Sequence, residues 1–436
     1  MPIVPARLWF LLTLVVVMVG AGSGCVPPQT DDSTTEKASG PSGGALRLAA
    51  QDAKIRTVQL YRGSDERALP VVPLQSPEAL TLEFDLLKEE GRPLSVYFIH
   101  ADRQWRRDLS PNQVLSSYQN DRIFDYQSSR GTAVPYVHYE YRFPNDDIRF
   151  RVSGNFIVRV TKRGQRDSVL FEQPFFVTDE AGQLEVGAEG IAVSGQRQQS
   201  VRPKVRFSPP AALRGDPFGY AVCFVQNGHL PDARCRDEPT LARQPQLSFE
   251  LEQERAFAPI TANYTLDLSN LRSTNTIERL DATRTPVRAL LAPDYAELAA
   301  PTRGSPLNGR IVVQDAVDGR ASPDVSAEYV ETTFAFVPPS DRRLSGNVVV
   351  AGSFSGMDPS RGTTMTWRPG AGRYEGTVLL KQGRYGYFYS GTDPTLRETI
   401  RRTQPLRRST YTTFVYYRDP SLGTDRLLRV GRVEAR

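Results

Sequence analysis

The chain has 436 residues, with 54 Lys or Arg against 49 Asp or Glu, so its formal net charge is only +5. The basic residues are spread through every segment, whereas a nucleic-acid-binding protein clusters them along one face, and we expect no nucleic-acid partner. Only three His and three Cys are present. The sequence offers little material for a nucleophilic triad or a metal site, so we predict no catalytic residues, no metal ligands and no cofactor.

The N-terminus has the pattern of an export signal. A short segment with one positive charge, 1–7, precedes an apolar run at 8–19 that is too short to span a membrane. Small residues and then Cys25 follow, as in the lipobox of bacterial lipoproteins, although Gly22 stands where Leu is usual. We predict a signal peptide over 1–25 and lipidation at Cys25, which would anchor the protein to a membrane; simple cleavage nearby is the alternative.

Beyond this signal, residues 26–52 form a polar stretch that cannot bury a core, and we predict a disordered tether. From residue 53 onward, apolar and polar residues alternate with period 2, most strictly at Leu80–Leu86 and Val137–Phe143. This alternation predicts strands with one face on a core and the other in water. Helical periodicity is scarce, and only 110–118 and 289–298 could form short helices.

Turn-rich stretches at 178–195 and 308–323 divide the alternating region. Recurring turns between short strands are typical of antiparallel sandwiches. We therefore predict an all-β fold of three consecutive antiparallel immunoglobulin-like β-sandwich domains, at 53–180, 181–325 and 326–436.

Two cysteines lie within the predicted middle domain. Cys223 and Cys235 flank an Asn227–Gly228 turn, so the two strands could place them opposite each other. An exported protein meets an oxidising environment, and we predict a disulfide bond between them. Two buried free thiols are the alternative.

Some polar strings could carry chemistry. His100 and Asp102 follow a strand, but no third member of a catalytic set is evident, and His138 is on the polar side of an alternating strand. The string at 144–147 lacks the spacing of a calcium loop and predicts a β-turn. We interpret all of these residues as structural.

The last third resembles early-set immunoglobulin-like domains, which include starch- and glycogen-binding modules. The shared features are the Gly352-x-Phe354 turn and the aromatic strand that follows a Lys-x-Gly sequence. Those modules have a Trp at the position of Met357, where it forms part of the sugar-binding surface. A carbohydrate-binding or surface-glycan lipoprotein, using Trp367 or Tyr387, is therefore an alternative function.

An ordered set of motifs runs through the whole alternating region. In the first third these are the strings His-Ala-Asp, Asp-Leu-Ser-Pro, His-Tyr, Pro-Asn-Asp and Ser-Gly-Asn-Phe, and thinner matches follow later. Taken together, residues 53–436 resemble the plug protein family of the bacterial type 9 secretion system. The matching positions are His100, Asp102, Trp105, Tyr126, His138, Asn145, Gly154, Asn155, Gln226, Asn227, Gly352 and Phe354.

This resemblance implies a non-enzymatic protein at the periplasmic face of the outer membrane. Its partner would be the outer-membrane translocon β-barrel, whose periplasmic opening it would close when no substrate is moving. No small-molecule substrate is expected. The chain departs from the family at Ala101, where Cys is usual, and at Met357, where Trp is usual.

Overall fold

A computed structural model describes residues 46–88, 90–194, 200–243, 245–258, 264–271, 276–296, 307–316, 322–339, 342–402 and 408–435. The predicted signal peptide, Cys25 and most of the predicted tether lie outside these residues. Within the described ranges, no helix has the length and apolar content that a membrane crossing requires.

The first part of the chain forms a sandwich of two sheets, which we call domain 1 (55–178). One sheet has the order β1-β3-β7-β6 and the other β2-β9-β8-β4-β5. Phenylalanine rings fill the space between them, and ring centroids lie 4.8–5.0 Å apart for the pairs Phe84–Phe171 and Phe143–Phe175. The elements are β1 Ile55–Arg62, β2 Val71–Pro73, β3 Leu80–Leu86, β4 Leu94–Ala101, α1 Pro111–Val114, β5 Asn120–Ile123, β6 Tyr126–Ser128, β7 Val137–Phe143, β8 Gly154–Lys162 and β9 Val169–Thr178.

The rest of the chain is also mostly strand. Its elements, in order, are β10 Gln183–Ile191, β11 Ser200–Ser208, β12 Tyr220–Gln226, β13 Arg234–Arg236, β14 Leu241–Arg243, β15 Gln246–Glu250, β16 Tyr264–Asp267, β17 Ile277–Asp281, β18 Val287–Leu291, β19 Asp294–Tyr295, β20 Ile311–Val313, α2 Pro323–Ser326, β21 Tyr329–Val337, β22 Val348–Gly352, β23 Thr363–Thr364, β24 Thr366–Arg368, β25 Arg373–Lys381, β26 Gly383–Gly391, α3 Pro394–Arg402, β27 Ser409–Asp419 and β28 Thr424–Ala435. The predicted all-β class, built mainly of antiparallel sheets, is confirmed.

These strands form four further sheets. The orders β10-β11-β15-β14 and β13-β12-β27-β28 make one sandwich, which we call domain 2. The orders β16-β26-β22-β23, with β20 on β26, and β17-β18-β21-β25-β24, with β19 on β21, make another, which we call domain 3. Each sandwich has its own buried apolar core.

The strand pairing differs from the predicted consecutive order of the last two domains. Strand β12 pairs along its whole length with β27, from Tyr220 opposite Tyr417 to Gln226 opposite Tyr411. Strand β16 likewise pairs with β26. Domain 2 therefore comprises 183–257 and 409–435, and domain 3 (264–402) is inserted between its two parts. The predicted boundary between 325 and 326 does not separate two sheets.

The structure also tests the two short helices considered from the sequence. The stretch 110–118 contains one helical turn, α1. The helix considered for 289–298 is wrong over its described part, because β18 and β19 pair with β21 there.

Strand β3 departs from the predicted pattern, in which one face is buried and the other is exposed to solvent. All seven of its residues are buried, and Thr81, Glu83 and Asp85 are 2%, 7% and 0% exposed. The expectation that these polar side chains face water is wrong, because domain 3 covers this face: Asp85 bonds to side chains of β21 and β25.

Candidate functional site at two domain junctions

Most of the motif residues of domain 1 lie where it meets domain 2, and we call this contact the motif junction. Its centre is apolar. The Trp105 and Phe176 rings lie 5.7 Å apart, and the Phe176 and Phe414 rings lie 4.5 Å apart. The other buried members of this cluster are Val71, Ala101, Ile157, Cys223, Val225, Tyr416 and Leu427. Residue 101 is thus a small core residue between two domains, which suits either Ala or the Cys usual in the family.

His100 connects a buried strand end to the other domain through Asp108. Its Nδ1 lies 2.6 Å from Asp108 Oδ1, and the Thr424 hydroxyl of domain 2 donates a hydrogen bond to Asp108 Oδ2. Burial raises the pKa of Asp108, but the hydrogen bonds from His100 and Thr424 outweigh it and leave the pKa below its ordinary value. The ionised carboxylate is therefore the form that holds this contact.

Gly154 lies against the His100 ring of its own domain and against the backbone of domain 2. It has φ +150°, and a Cβ at this position would lie 2.4 Å from His100 Nε2 and 3.2 Å from the Asp425 carbonyl oxygen. Asn155 follows and joins three segments. Its Nδ2 donates to the Asp102 carbonyl oxygen (3.0 Å), and its Oδ1 accepts from the Tyr416 hydroxyl (2.8 Å).

Asp102 is a loop-capping residue, as the sequence interpretation expects for a structural acid. Its Oδ1 accepts backbone N–H groups of Gln104 and Arg106, each at 2.9 Å, and its Oδ2 accepts from the Arg106 guanidinium. Such bonds satisfy donors that a tight loop leaves free of sheet partners. The bonds fix the shape of the loop, from which Arg103 reaches Asp425 of domain 2.

Ion pairs surround the motif junction. Arg103 of domain 1 pairs with Asp425 at 2.7 Å and with Asp237 at 3.1 Å, and Asp425 is almost fully buried. Arg426 of domain 2 pairs with Asp179 at 2.7 Å. Each buried charge in this group has a partner of opposite sign, which offsets the cost of removing it from water.

Within domain 2, the cysteines and the following turn organise strand β12. Cys223 and Cys235 occupy opposite positions on β12 and β13 and form a disulfide bond, with an S–S distance of 1.98 Å. Asn227, with φ +50°, accepts a hydrogen bond from the Thr410 backbone, and the Gln226 amide donates to the Tyr411 hydroxyl. The sequence motif around this turn therefore holds the two parts of domain 2 together.

A second contact joins domain 1 to domain 3, and we call it the carboxylate junction. Asp85 is its centre. The carboxylate accepts hydrogen bonds from Lys381 Nζ (2.7 Å) and the Tyr329 hydroxyl (2.7 Å), and it lies 2.9 Å from His138 Nδ1. Lys381, whose side chain is 1% exposed, also donates to the Asp324 carbonyl oxygen (2.6 Å).

Burial and pairing shift several pKa values in this junction. Burial raises the pKa of Asp85, but Lys381 and His138 outweigh burial and bring it below its ordinary value. Burial lowers the pKa of His138, and the bond to Asp85 more than reverses this, so that the value is raised. Burial raises the pKa of Glu83 to about 7, and the nearby Asp324 adds to the effect.

The remaining motif residues lie inside single domains. The Tyr126 ring packs 5.3 Å from that of Tyr139. Asn145 Oδ1 accepts the N–H groups of residues 147 and 148 in a turn. A Cβ on Gly352 would lie 2.4 Å from the Gly386 carbonyl oxygen, and the Phe354 ring packs 5.6 Å from that of Phe334.

The aromatic residues proposed for sugar binding are mostly used in packing. Tyr387 is 5% exposed and Met357 is 2% exposed, so neither presents a flat face to solvent. Trp367 packs against Tyr374, with ring centroids 5.0 Å apart.

The family motifs singled out five residues that the structure places at the motif junction (His100, Asp102, Trp105, Gly154 and Asn155), but they did not predict that junction, and the carboxylate junction was missed. Glu83 and Asp85 looked like solvent-facing positions of an alternating strand, and Tyr329, Asp324 and Lys381 are more than 230 residues away in the sequence. No local spacing reports such a contact. His138 was the one signal, since it is one of only three His in the chain.

The fold and the two junctions define an all-β protein of three sandwiches, in which one domain is inserted into a second and both are joined to the first through buried contacts. Residues 55–179, which coincide with domain 1, match the family model described as the type 9 secretion system plug protein 1st domain. This match confirms over domain 1 the resemblance drawn from the motifs, and it associates the chain with the type 9 secretion system.

Solved structures extend the fold comparison beyond domain 1. A hypothetical protein from Parabacteroides merdae is similar with a TM-score of 0.78 and 22% identity, over 90% of this chain and 100% of that one. This match shows that the fold of the whole described region is shared. Trypsin-activated alpha-2-macroglobulin from Escherichia coli aligns with a TM-score of 0.19 and 11% identity, over 90% of this chain and 24% of that one, which is too dissimilar to inform the fold. No protein of curated function matches the chain.

Proposed function

We propose that this protein is a non-enzymatic plug of the type 9 secretion system that docks on the outer-membrane translocon barrel and closes its periplasmic opening. The observation that carries the proposal is the family match of domain 1. The two junctions support it, because a plug must cover a wide opening without coming apart. The insertion of domain 3 into domain 2 and the two buried junctions should keep the three sandwiches together as one rigid unit.

We further propose that the mature protein lies at the periplasmic face of the outer membrane and is attached there by a lipid on Cys25. The sequence pattern at the N-terminus supports this part of the proposal. Mass spectrometry of the mature N-terminus tests it. A chain that begins at an unmodified residue other than Cys25 would remove the anchor while leaving the plug proposal in place.

Exposed aromatic residues offer a starting point for the docking surface. Tyr118 is 68% exposed and Phe124 is 58% exposed, and they flank β5, the last strand in its sheet among the described residues. An edge strand with large apolar side chains at both ends is suited to contact another protein. We propose that this edge of domain 1 faces the barrel.

The test is affinity purification of the protein from solubilised outer envelope. We expect a very large outer-membrane β-barrel to copurify with the natural chain and to be strongly reduced with the variant Tyr118→Ser/Phe124→Ser. Phe218→Ser, at an equally exposed aromatic residue of domain 2 (64% exposed), is the matched control and should retain the barrel. Absence of any such barrel with the natural chain would contradict the proposed function, whereas its retention by the double variant would contradict only the proposed surface.

A further inference from the structure

Three potential metal ligands converge in the carboxylate junction. The ligand atoms of Glu83, His138 and Asp324 all lie within 4.8 Å of one another. Glu83 and His138 come from the neighbouring strands β3 and β7 of domain 1, and Asp324 comes from the one-turn helix α2 of domain 3. The group therefore spans two domains. Its members are 55 to 241 residues apart in the sequence, so they form no local sequence motif.

The orientation of His138 suits a metal ligand. Its Nδ1 is held 2.9 Å from Asp85 Oδ1, and among the described residues no hydrogen-bond partner is found for its other ring nitrogen, Nε2. Histidines that bind metals nearly always donate the second ring N–H to a carboxylate or carbonyl, which sets the tautomer and ring orientation. Asp85 is in the position to play this part, and it is itself held by Lys381 and Tyr329.

The charges around the group are unbalanced. Lys381 is engaged by Asp85, so His138 is the cationic side chain that the described residues place beside Glu83 and Asp324, and Glu83 also accepts a hydrogen bond from the Tyr61 hydroxyl. Glu66 adds a further carboxylate to the same region, where its Oε1 accepts hydrogen bonds from the Gln59 amide and the Val313 N–H. Buried carboxylates without enough positive charge are costly unless they are protonated or bind a cation.

We propose that Glu83, His138 and Asp324 bind a divalent transition-metal cation of the Zn²⁺ type, which bridges domain 1 and domain 3. One imidazole and two carboxylates are a ligand set that suits Zn²⁺ and is unsuited to Ca²⁺ or Mg²⁺, which take oxygen ligands. Ligand atoms about 2.0–2.2 Å from a tetrahedral Zn²⁺ lie about 3.4 Å from one another, so these three, now within 4.8 Å of one another, must approach by up to about 1.4 Å. Glu83 and His138 are buried and Asp324 is partly exposed, which gives the ion an entry path from solvent.

The site would act as a clamp between domains and not as a catalytic centre. A metal that binds only when domain 1 and domain 3 are in contact stabilises that contact by mass action. This role is independent of the proposed docking on a barrel, so each can fail without the other.

The test measures Zn²⁺ binding to the purified mature protein after treatment with a chelator. Isothermal titration and elemental analysis should show about one Zn²⁺ per chain, and saturation should raise the midpoint of thermal unfolding by at least about 3 °C. Co²⁺ in place of Zn²⁺ should give visible d–d absorption bands. An excess of Ca²⁺ or Mg²⁺ should not compete.

Two variants and two controls decide the ligand set. Asp324→Asn and His138→Gln should weaken Zn²⁺ binding by more than the roughly 10–100-fold typical for loss of an outer-shell partner. Glu140→Gln, which changes a carboxylate on the same strand that is paired with Arg142 at 2.8 Å, should bind like the natural chain. His229→Gln, which removes another imidazole, should do the same.

Asp324→Asn keeps the proposal testable if the more buried His138→Gln does not fold, because residue 324 is on a partly exposed turn. The proposal is overturned if the natural chain takes up no stoichiometric Zn²⁺. It is equally overturned if folded Asp324→Asn binds Zn²⁺ as the natural chain does, or if the Glu140 and His229 controls lose binding to the same extent.

Discussion

The two junctions of domain 1 hold its neighbours by different physical means. The motif junction combines a stacked aromatic centre with ion pairs in which each buried charge has its own partner. The carboxylate junction places Asp85 and Lys381, both with side chains 1% exposed, at the centre of a polar network that includes further carboxylates. The first contact resembles an ordinary protein interface, whereas the second depends on a few deeply buried charges.

The difference shows how a single change should act on each junction. A contact that relies on many apolar atoms loses stability in small steps, because neighbouring side chains can partly fill a gap. A contact that relies on a buried charge pair fails sharply when one charge is removed, since the other stays buried without compensation.

The largest effect is expected for Lys381→Met. The substitution keeps most of the side-chain volume but leaves Asp85 buried without its cation, and we expect a loss of about 3–5 kcal/mol in the free energy of unfolding. Urea unfolding followed by circular dichroism measures it. Lys204→Met is the control, because Lys204 is 43% exposed in its pair with Glu189, and exposed pairs are worth about 0–1 kcal/mol. A Lys381 variant as stable as this control would show that the junction does not depend on the charge pair.

At the motif junction, the second-largest effect is expected for the disulfide bond, which joins β12 to β13. Cys223 is itself part of the junction's apolar cluster. We expect the double variant Cys223→Ala/Cys235→Ala to lose about 3 kcal/mol, chiefly because a short closed loop no longer restricts the unfolded chain. Thermal unfolding measures the loss. Thiol counting on unfolded, unreduced protein, with Cys25 left out of the count, should find no free thiol; two free thiols would show that Cys223 and Cys235 are not bonded in the cell.

Gly154→Ala tests how closely domains 1 and 2 must approach. The added Cβ meets His100 Nε2 at 2.4 Å and the backbone has φ +150°, so both strain and overlap oppose it, and we expect a loss of about 2–3 kcal/mol. Faster proteolysis between the two domains should accompany the loss. Gly164→Ala is the matched control, because Gly164 also has a positive φ (+68°) but nothing lies within 4 Å of the added Cβ. It should lower the free energy of unfolding by only about 1 kcal/mol.

The smallest effect is expected for Asp108→Asn, at about 1–2 kcal/mol at neutral pH, from weakened bonds to His100 and Thr424. The pKa of Asp108 is lower in the folded protein than its ordinary value. The ionised group therefore stabilises the folded state above the unfolded-state pKa, and this contribution is lost as the pH falls through the folded-state pKa, roughly below pH 4.

The difference in unfolding free energy between the natural chain and this variant should accordingly shrink in acid. Measurements at several pH values between 7 and 3 follow it. Asp146→Asn, at a fully exposed carboxylate, should differ little from the natural chain at any pH. A constant difference for Asp108→Asn across this range would contradict the assigned role of its charge.

Local sequence signals predicted a large part of the fold. Alternation such as that of Leu80–Leu86 predicted strands, the spacing around an Asn-Gly turn placed Cys223 opposite Cys235, and the motif strings of the first third led to the family of domain 1. These features succeed because side-chain direction in a strand, turn conformation and short loop closure depend on residues close together in the chain.

Long-range pairing was decided only by the tertiary structure. The alternation of β3 shows that its two faces differ, but it does not show whether the polar face meets water or another domain. For the same reason, the pairing of β12 with β27, about 190 residues later, has no local sequence signal. The sequence therefore predicted consecutive domains, whereas in the structure domain 3 is inserted into domain 2. The sequence by itself determined the strand class, the turns and the family of domain 1. Tertiary packing alone decided which polar residues are buried together, because that depends on which surfaces are brought into contact after each sandwich has formed.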